Sequence, residues 1–578
     1  MMHRREFIGR GLAAVAMGLA SRRIIAADRG VLNGPSIGAM PGPIDPNSTR
    51  PFRPVMVGPG ESVLVDGMPF APWFTGDDFA NPTIPFHFSE TQTMPGGVPP
   101  EPQEQTDVVI VGGGVGGLAT AYALRHRHPV VFEVHRRFGG VSQGETWNGV
   151  NYSLGGAYGI IPDKGNFIDQ IYSEMGLYKV SRIDAGENPT EYYGKILEDY
   201  FDVPGRPPEE AAAFKRYREV VIDMAENHYP DIPLPKGKDN QWIIELDGRT
   251  FKEDLEQRMA PHKIPVALVQ AIQGYFYSSF NAGWEQISAA SGWNFVAAEE
   301  YGRIVFPGGN AGLTDALWQR VRDVEQKAYG RSGVMLRAGC RVVDVRVMKT
   351  GKLIVTYREG DGPFRSMIAR RVVMCCPKHI ARNILRPMQD LDPEKFDALH
   401  SIETNSYLVA NVLLNAAIKR DFYDLFLLGD GNFPTTPNEF EERPAVTDVV
   451  SGHFTRGAGI APSVLTLYWP LPSSIGRRWL IRDDVWVRFT TDIVPQIRRI
   501  LGLLDVPESA VRQVRMTRWG HAFPVAEWNR IADGTCEKIQ RPIAGKVFFV
   551  SQDNWLLPAV DNTLLDCGIY VPQIEAGL

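Results

Sequence analysis

Hydrophobic and polar residues alternate along most of the chain in patterns typical of buried strands and amphipathic helices. Residues 108–111 are all apolar and run into a glycine-rich turn, as in parallel strands that are covered on both faces. Residues 115–127 have the spacing of a helix with small residues on one side, and residues 129–134 form a second apolar run. A strand, a helix and a strand in this order predict the beginning of a βαβ unit.

The same kind of pattern predicts elements along the rest of the chain. The predicted helical regions are 206–300 and 483–504, and the predicted strands lie at 334–357 with a turn at Thr350 and Gly351, at 370–377, within 405–470 and at 545–554. Long apolar runs that are interrupted by helices are typical of an α/β fold.

The N-terminal residues differ from this globular pattern. Arg4 and Arg5 precede an apolar stretch of about ten residues that ends at Ala20, which is too short to span a bilayer. An arginine pair in this position is typical of a twin-arginine signal peptide. We therefore expect residues 1–27 to be a signal peptide, and the mature protein to be periplasmic or secreted, without stable membrane insertion. Residues 28–105 are rich in proline and glycine, which predicts an extended segment that wraps over the surface.

Composition excludes several classes of function. The chain has 578 residues, enough for two or three domains, with 44% hydrophobic and 22% charged residues. A formal net charge of -6 gives no basic face for nucleic acid. The cysteines have neither disulfide-framework nor zinc-site spacing, so we expect no metal site from them; they are Cys340, Cys375, Cys376, Cys536 and Cys567.

The turn after the first strand carries the clearest chemical signal. Its glycines are Gly112, Gly113, Gly114, Gly116 and Gly117. In the spacing G-x-G-x-x-G, the first glycine permits a sharp turn and the second lets backbone N–H groups approach a pyrophosphate. The third lets the helix pack close to the sheet. Glu133 ends the second strand, where a carboxylate accepts hydrogen bonds from ribose hydroxyls. These features together predict a dinucleotide site.

The residues that follow indicate which dinucleotide is bound. Glu133 is followed by Arg137, Gly139 and Gly140, which resembles the E-x-x-x-R-x-G-G segment of flavin-containing amine oxidases and their desaturase relatives. Val141 stands where that family usually has an arginine. Residues 154–158 resemble the Leu-Gly-Gly-x-Tyr segment of monoamine oxidases, which passes near the flavin; its members here are Leu154, Gly155, Gly156, Ala157 and Tyr158, and Ser153 replaces the usual aspartate.

Further motifs follow in the order that this superfamily has. Residues 306–317 resemble its glycine pair before a helix, Val342 matches the position whose backbone holds the adenine, and Asp553, with Asn554 beside it, matches the acid at the ribityl chain. The resemblance covers residues 105–570, and within the superfamily it is greatest to bacterial spermidine dehydrogenase-like proteins. It implies bound FAD and a Rossmann-type FAD-binding domain interleaved with an α+β substrate-binding domain built on a mixed sheet.

These boundaries divide the chain between the two domains. We predict that residues 106–205, 301–400 and 521–578 form the FAD-binding domain, and that residues 206–300 and 401–520 form the substrate domain.

The resemblance also implies a reaction, in which an amine gives a hydride to flavin N5 and leaves as an imine that water hydrolyses. The candidate catalytic residues are His521, Asn411, Trp519 and Tyr468. Asn411 matches the position where many amine oxidases carry a lysine, which favours a dehydrogenase over an oxidase. Other aromatic candidates for an amine pocket are Tyr275, Phe276, Tyr277, Trp293, Trp469 and Trp555.

Several alternatives stay open. The electron acceptor is either O2 or a redox protein, a homodimer is one assembly to consider, and haem b is an additional cofactor for which His87 and His453 are weak candidates. The same FAD motifs also occur in desaturases or isomerases of lipids and carotenoids. A third alternative is a flavin-binding maturation partner that lacks amine chemistry.

Overall fold

A computed structural model of the chain describes residues 49–58, 60–77, 94–185, 189–386, 388–480 and 484–578. The predicted signal peptide at 1–27 and the haem candidate His87 lie outside these described residues.

The described residues form the following elements. The strands are β1 (Phe52–Pro54), β2 (Val63–Val65), β3 (Met68–Phe70), β4 (Thr75–Gly76), β5 (Glu104–Val111), β6 (Val130–Phe132), β7 (Gly144–Trp147), β8 (Val150–Ser153), β9 (Gly159–Ile160), β10 (Arg182–Asp184), β11 (Thr190–Tyr192), β12 (Lys195–Leu197), β13 (Arg303–Val305), β14 (Leu336–Arg337), β15 (Cys340–Val347), β16 (Leu353–Glu359), β17 (Phe364–Met374), β18 (Leu385–Arg386), β19 (Thr404–Leu414), β20 (Asp424–Leu427), β21 (Asp448–Ser451), β22 (Ser463–Pro470), β23 (Val511–Pro524) and β24 (Val547–Phe549). The helices are α1 (Val115–Ala123), α2 (Phe167–Met175), α3 (Pro208–Glu226), α4 (Gln241–Asp247), α5 (Phe251–Met259), α6 (Val266–Phe280), α7 (Ala289–Val296), α8 (Asn310–Tyr329), α9 (Lys378–Ile384), α10 (Met388–Leu391), α11 (Pro393–His400), α12 (Pro437–Glu442), α13 (Gly476–Leu480), α14 (Val485–Leu503), α15 (Thr535–Gln540) and α16 (Val560–Ala576).

An eight-stranded sheet, here called the Rossmann sheet, contains the predicted βαβ unit. Its strand order is β14-β6-β5-β17-β16-β15-β18, and β24 also pairs with β17. The central strand β5 is parallel to both β6 and β17. Its apolar residues Val108, Val109 and Ile110 have no exposed surface, because helices and other elements cover both faces of the sheet. The Rossmann-type sheet expected from the sequence is therefore confirmed.

A ten-stranded sheet, here called the large sheet, is the predicted mixed sheet. Its order is β12-β11-β20-β21-β22-β19-β23-β3-β2, and β4 also pairs with β23. The strand β19 is buried along its whole length because both of its faces are covered by other elements. Leu408 and Val412 pack with Phe489 and Ile493 of α14. Val409 faces the opposite side, where it packs with residues of β7 and β8.

The predicted domain boundaries differ from the sheets in three places. Strands β11 and β12 lie in the region assigned to the FAD-binding domain, yet β11 pairs with β20 of the large sheet. Strand β23 continues to Pro524 and so crosses the predicted boundary at residue 520. Strands β2, β3 and β4 from the proline-rich segment extend the large sheet. Strand pairing determines to which sheet these segments belong. Pairing between segments that are distant in the chain leaves no local signal in the sequence.

Residues 49–58 and 60–77 contact both the small sheet beside the Rossmann sheet and the large sheet. Strand β1 pairs with β7, and Arg50 forms an ion pair of 2.5 Å with Asp315 on α8. Farther along, Phe70 is buried under the large sheet, where β3 and β4 pair with β23. The helices within the described ranges all lack the combination of length and apolar character that a membrane crossing needs.

Candidate cofactor and substrate site

A cavity of about 780 Å³ is lined by residues from both the Rossmann sheet and the large sheet. Its volume lies in the range of cavities that hold small ligands. The glycine turn after β5 lines it on the Rossmann side. Tyr407, Tyr468 and Trp519 line it on the side of the large sheet. The structure therefore brings the predicted dinucleotide turn and three aromatic residues together around one cavity.

The first and third glycines of the turn are required by close backbone packing. Gly112 has a φ of 107°, and a Cβ there would lie 2.9 Å from the backbone of Cys375 and Cys376. A Cβ on Gly117 would lie 1.9 Å from the carbonyl oxygen of Gly112. Gly117 does not line the cavity, because it lies in the first turn of α1 on the side that packs against Gly112. A Cβ on Gly116 would lie 2.7 Å from the carbonyl oxygen of Val550.

Gly114 differs from these three because the space beside it belongs to the cavity. A Cβ there would have the carbonyl oxygen of Gly139 as its nearest neighbour, at 3.8 Å. Gly114 is also the N-cap of α1 and supplies no side chain to the N–H groups of the first turn. The helix thus presents its positive end and backbone donors to the cavity without a protein group between them. This arrangement fits a pyrophosphate.

Glu133 lines the cavity next to this turn and has 4% of its surface exposed. Its Oε2 accepts a hydrogen bond of 2.7 Å from the Gly113 N–H, and its Oε1 accepts one of 2.8 Å from the His135 N–H. Each carboxylate oxygen has a second lone pair for a ligand hydroxyl. Glu133 therefore supports the turn in addition to its predicted contact with ribose.

The two predicted flavin segments after Glu133 also line the cavity. They contribute Gly139, Gly140, Gly155, Gly156, Ala157 and Tyr158. Arg137 was predicted to bind cofactor but lies outside the cavity. Its guanidinium donates to the carbonyl oxygens of Pro51 and Gly144 and to the side chain of Gln143. Burial lowers the pKa of Arg137 to about 10. Arg137 therefore holds the loop at residues 143–144 against Pro51 of the N-terminal segment. A single motif in the sequence does not reveal these contacts.

Three further residues were predicted to bind the cofactor. Val342 and Asp553 line the cavity, and Asn554 does not. The Asp553 carboxylate accepts a hydrogen bond of 2.7 Å from the Lys378 N–H. The Asn554 side chain instead donates to the Phe549 carbonyl oxygen and to Asp566, and it accepts from the Lys378 ammonium at 2.6 Å. Asn554 and the buried Lys378 therefore support the segment that holds Asp553.

Two predicted catalytic residues join the large sheet to the flavin segment. The Tyr468 hydroxyl donates to the Gly155 carbonyl oxygen at 2.5 Å, and the Trp519 Nε1–H donates to the Leu154 carbonyl oxygen at 2.8 Å. The other aromatic candidates for the pocket do not line it and belong to the core; they are Tyr275, Phe276, Tyr277, Trp293, Trp469 and Trp555. The aromatic residues that line it and that the sequence analysis missed are Phe132, Tyr229, Phe295, Tyr407, Phe426 and Phe523.

Asn411, one of the predicted catalytic residues, does not line the cavity. It lies on the same face of β19 as Tyr407 and Val409, which do line the cavity, but two residues farther along the strand. Its Oδ1 accepts a hydrogen bond of 2.8 Å from the Thr466 hydroxyl inside the large sheet. The residue at position 411 therefore does not distinguish a dehydrogenase from an oxidase.

His521 lines the cavity and stacks on His379 with 3.8 Å between the ring centroids and 20° between the ring planes. His379 also lines the cavity, and the sequence analysis missed it. The haem candidate His453 is buried elsewhere, beside the backbone of Val464. Within the described ranges, no group of three or more His, Cys, Asp or Glu side chains is placed to hold a metal ion.

A buried cluster of charges, also missed from the sequence, borders the cavity on the large sheet. Arg303 has no exposed surface and donates to Glu299 at 2.5 Å and to Asp424 at 2.9 Å. Asp448 lies on the neighbouring strand, where the Thr447 hydroxyl donates to it at 2.6 Å. Burial and the nearby Asp448 raise the pKa of Asp424 well above its usual range. Burial raises the pKa of Asp448 to about 6.

A weak sequence signal for these acids existed. Asp424 and Asp448 each stand alone within an apolar strand, in YDLFLL and VTDVVS. An isolated acid at a buried position requires a partner or a function, and here the cavity lies beside it.

Comparison with known proteins supports this assignment of the fold. Residues 110–173 match the family model of an NAD(P)-binding Rossmann-like domain, a range that includes the glycine turn and Glu133. The chain is 19% identical over 518 residues to the oxidoreductase PigB of Serratia sp. (strain ATCC 39006). This alignment covers 80% of this chain and 74% of PigB.

Solved structures with a similar fold include two amine oxidases. Wild-type putrescine oxidase bound to putrescine superposes with a TM-score of 0.57 at 15% identity, over 82% of this chain and 99% of that chain. Cyclohexylamine oxidase from Brevibacterium oxydans IH-35A gives a TM-score of 0.56 at 16% identity, with the same coverage. The resemblance in fold that the sequence motifs predicted is thus confirmed.

Proposed function

We propose that this chain, which has the fold of the flavin amine oxidases, is an exported FAD-dependent oxidoreductase that acts on an amine. The reaction is oxidation of a C–N bond in a polyamine-like compound or another amine. The product is an imine, which water hydrolyses. Export by the twin-arginine pathway to the periplasm or beyond forms part of the proposal.

One observation carries this proposal. A single cavity is lined both by the glycine turn with Glu133 and by aromatic residues of the large sheet. A cofactor held at the turn would share this space with a small molecule held against Tyr407, Tyr468 and Trp519. The putrescine and cyclohexylamine oxidases with the same fold act on amines, as their names state.

The residues at the turn fit FAD. Gly114 leaves room for phosphate beside the N-terminus of α1, Glu133 fits the adenosine ribose, and Asp553 fits the ribityl chain. When bound, FAD supplies the acceptor for the hydride that leaves the amine.

The protein supplies position and environment. Tyr468 and Trp519 hold residues 154–155 against the large sheet through their hydrogen bonds. An enclosed aromatic wall favours the neutral form of the reacting amine, because burial disfavours a charged one. Only the neutral nitrogen has the lone pair that assists loss of a hydride from the adjacent carbon.

An absorption spectrum of the purified protein, followed by anaerobic titration, tests the proposal. We expect flavin bands that bleach when putrescine, spermidine, a monoamine or an amino acid is added. Bleaching by none of these amines would overturn the proposal. In that case, conversion of a lipid or carotenoid would indicate a desaturase or isomerase, and a flavin that nothing reduces would indicate a maturation partner.

The electron acceptor is decided by a second measurement. Formation of peroxide in air, in an amount equal to the oxidised amine, would identify O2 as the acceptor. If no peroxide forms and an artificial electron acceptor reoxidises the flavin rapidly, the acceptor would be a redox protein. The presence of a Soret band in the same spectrum would show haem in addition to flavin.

A further inference from the structure

We infer that the side of the cavity at Asp424 and Asp448 binds a second cationic nitrogen of the substrate. The enzyme would then prefer diamines and polyamines to monoamines of equal chain length. This inference rests on the proposed amine oxidation and adds to it a site that selects the substrate.

The charge of the cavity wall supports this inference. The described residues that line the cavity include no lysine and no arginine. They include nine acidic side chains, those of Asp77, Glu133, Asp163, Asp231, Glu299, Asp424, Asp448, Asp553 and Asp561. A ligand that brings positive charge into the cavity would meet acidic groups and no lysine or arginine along this lining, and its charge would favour their ionised form.

Arg303 does not balance the acids on the large sheet. It contacts Asp424, and it also forms ion pairs with Glu299 and with Asp184, the last at 3.9 Å. Asp448 has hydrogen bonds from hydroxyl groups but no ion pair with Arg303 among the described contacts. Carboxylates that share one buried guanidinium leave negative charge for a further cation to neutralise.

The strand register places the two acids on the cavity face of the sheet. Asp424 pairs with Val450, and Asp448 pairs with Phe426 on one side and with Tyr468 on the other. All five side chains line the cavity. Since paired residues share a face, Asp424, Asp448 and Tyr468 form one continuous surface.

An unpaired atom gives independent evidence for a ligand. Asp424 has 4% of its surface exposed, and its Oδ1 is buried without a hydrogen-bond partner, whereas its Oδ2 accepts from Arg303. A buried carboxylate oxygen without a donor is costly, and an ammonium group would supply the donor. The hydroxyl of the adjacent Tyr423 is also buried without a partner.

Aromatic side chains complete the surroundings of this site. Tyr158, Phe426 and Tyr468 line the cavity beside the two acids. Aromatic faces attract an ammonium group and pack against the methylene chain of an alkyl diamine. The site thus fits a primary or secondary ammonium at the end of a short alkyl chain.

The test compares matched amines on the full-length, FAD-loaded protein. Butylamine and putrescine have the same chain length and differ in the second nitrogen. We measure the amine concentration that gives half-maximal rate of anaerobic flavin reduction, and we expect this concentration to be at least about tenfold lower for putrescine. In Asp448→Asn and Asp424→Asn, we expect the ratio between the two amines to approach one. Asp448→Glu keeps the charge and should keep most of the preference, and Asp492→Asn, an exposed acid on α14, is the matched control.

A binding measurement separates this inference from the proposed oxidation. Isothermal titration of the same protein with 1,4-diguanidinobutane and with butylguanidine reports cation binding without any reaction. We expect the dication to bind at least about tenfold more tightly, and the advantage to be lost in Asp448→Asn.

Three results would have distinct meanings. Equal preference for both amines in the parent protein, with flavin bleaching intact, would overturn the second cation site and leave amine oxidation standing. Tighter binding of the dication that depends on Asp448, without bleaching by any amine, would support the cation site and overturn the oxidation. Neither bleaching nor selective binding would overturn both.

Discussion

Arg515 on β23 donates two hydrogen bonds to Glu145 on β7, at 2.6 and 2.9 Å, in a buried pair that joins the large sheet to the small sheet of β1, β7 and β8. Tyr152 and Arg53 also donate to Glu145. The pair lies behind the cavity, next to Asn411 on the neighbouring strand. It therefore helps to fix the distance between the large sheet and the loops that line the cavity.

This pair predicts a loss of stability in acid. Burial opposes ionisation of Glu145, but the hydrogen bonds and charge of Arg515 prevail and lower its pKa from 4.5 to about 2. An acid with a lowered folded-state pKa stabilises the fold above its unfolded pKa and loses this contribution as pH falls towards the folded value. The contribution should fall by about 2 kcal/mol between about pH 5 and pH 3. Denaturant unfolding of the parent and of Glu145→Gln over this range measures it, since the difference in unfolding free energy between the two proteins should shrink as pH falls.

Substitution of two glycines of the turn by alanine should have different effects: Gly117→Ala should lower the stability of the protein, and Gly114→Ala should weaken FAD binding. Gly117→Ala places a Cβ 1.9 Å from the Gly112 carbonyl oxygen, so it should destabilise the apoprotein by about 3 kcal/mol or more. Gly114→Ala meets only cavity space, so apoprotein stability should change by less than about 1 kcal/mol. We expect Gly114→Ala to weaken FAD binding by at least about tenfold. Thermal unfolding without FAD and fluorescence titration with FAD measure the two effects, and a stable Gly117→Ala protein would contradict the packing argument.

Glu133→Gln should weaken both the turn and the cofactor site. The glutamine side chain has one carbonyl oxygen, whereas Glu133 accepts from the N–H groups of Gly113 and His135 through two oxygens. One buried N–H group loses its acceptor, which should cost about 1–3 kcal/mol of stability and lower FAD affinity. Glu359→Gln, at an exposed position on β16, serves as the control. FAD affinity equal to that of the parent would show that Glu133 does not contact the cofactor.

Removal of the hydrogen bonds to residues 154–155 should slow catalysis more than it weakens FAD binding. Tyr468→Phe and Trp519→Phe each remove one donor, to the carbonyl oxygens of Gly155 and Leu154 respectively. The loop then loses its fixed position opposite the substrate, and we expect flavin reduction by amine to slow by about tenfold. Trp469→Phe is a matched control, because Trp469 packs against Phe489 on the other face of the sheet and its Nε1 has no hydrogen-bond partner. Stopped-flow reduction at saturating amine measures the rate.

Binding of a dication should release a proton. Burial raises the pKa of Asp448 to about 6 and that of Asp424 well above its usual range, while Arg303 opposes the shift at both. A bound cation favours the ionised carboxylates, so a proton held by the pair at about pH 6 would leave on binding. Titrations with 1,4-diguanidinobutane in buffers of different ionisation enthalpy should show heats that depend on the buffer. The dependence should be smaller in Asp448→Asn. Equal heats in all buffers would show that the pair is already ionised.

Parts of the site that depend on adjacent residues were predictable. The glycine spacing, the helix after it and Glu133 lie within one short segment, so backbone geometry relates them without help from the rest of the chain. Val342 and Asp553 were found through their motifs, and both line the cavity. Arg137 and Asn554 do not line the cavity, because a motif gives a position along the chain but not the direction of a side chain.

The sequence by itself determined the Rossmann turn and the fold class, because each rests on local periodicity and on the conformational freedom of glycine. Only the tertiary structure decided which side chains share the cavity. Arg303, Asp424 and Asp448 come from separate strands. His379 lies on the helix α9, whereas His521 lies on β23 of the large sheet. Their approach depends on strand order and register over more than a hundred residues, which burial of the whole core fixes and no short segment encodes.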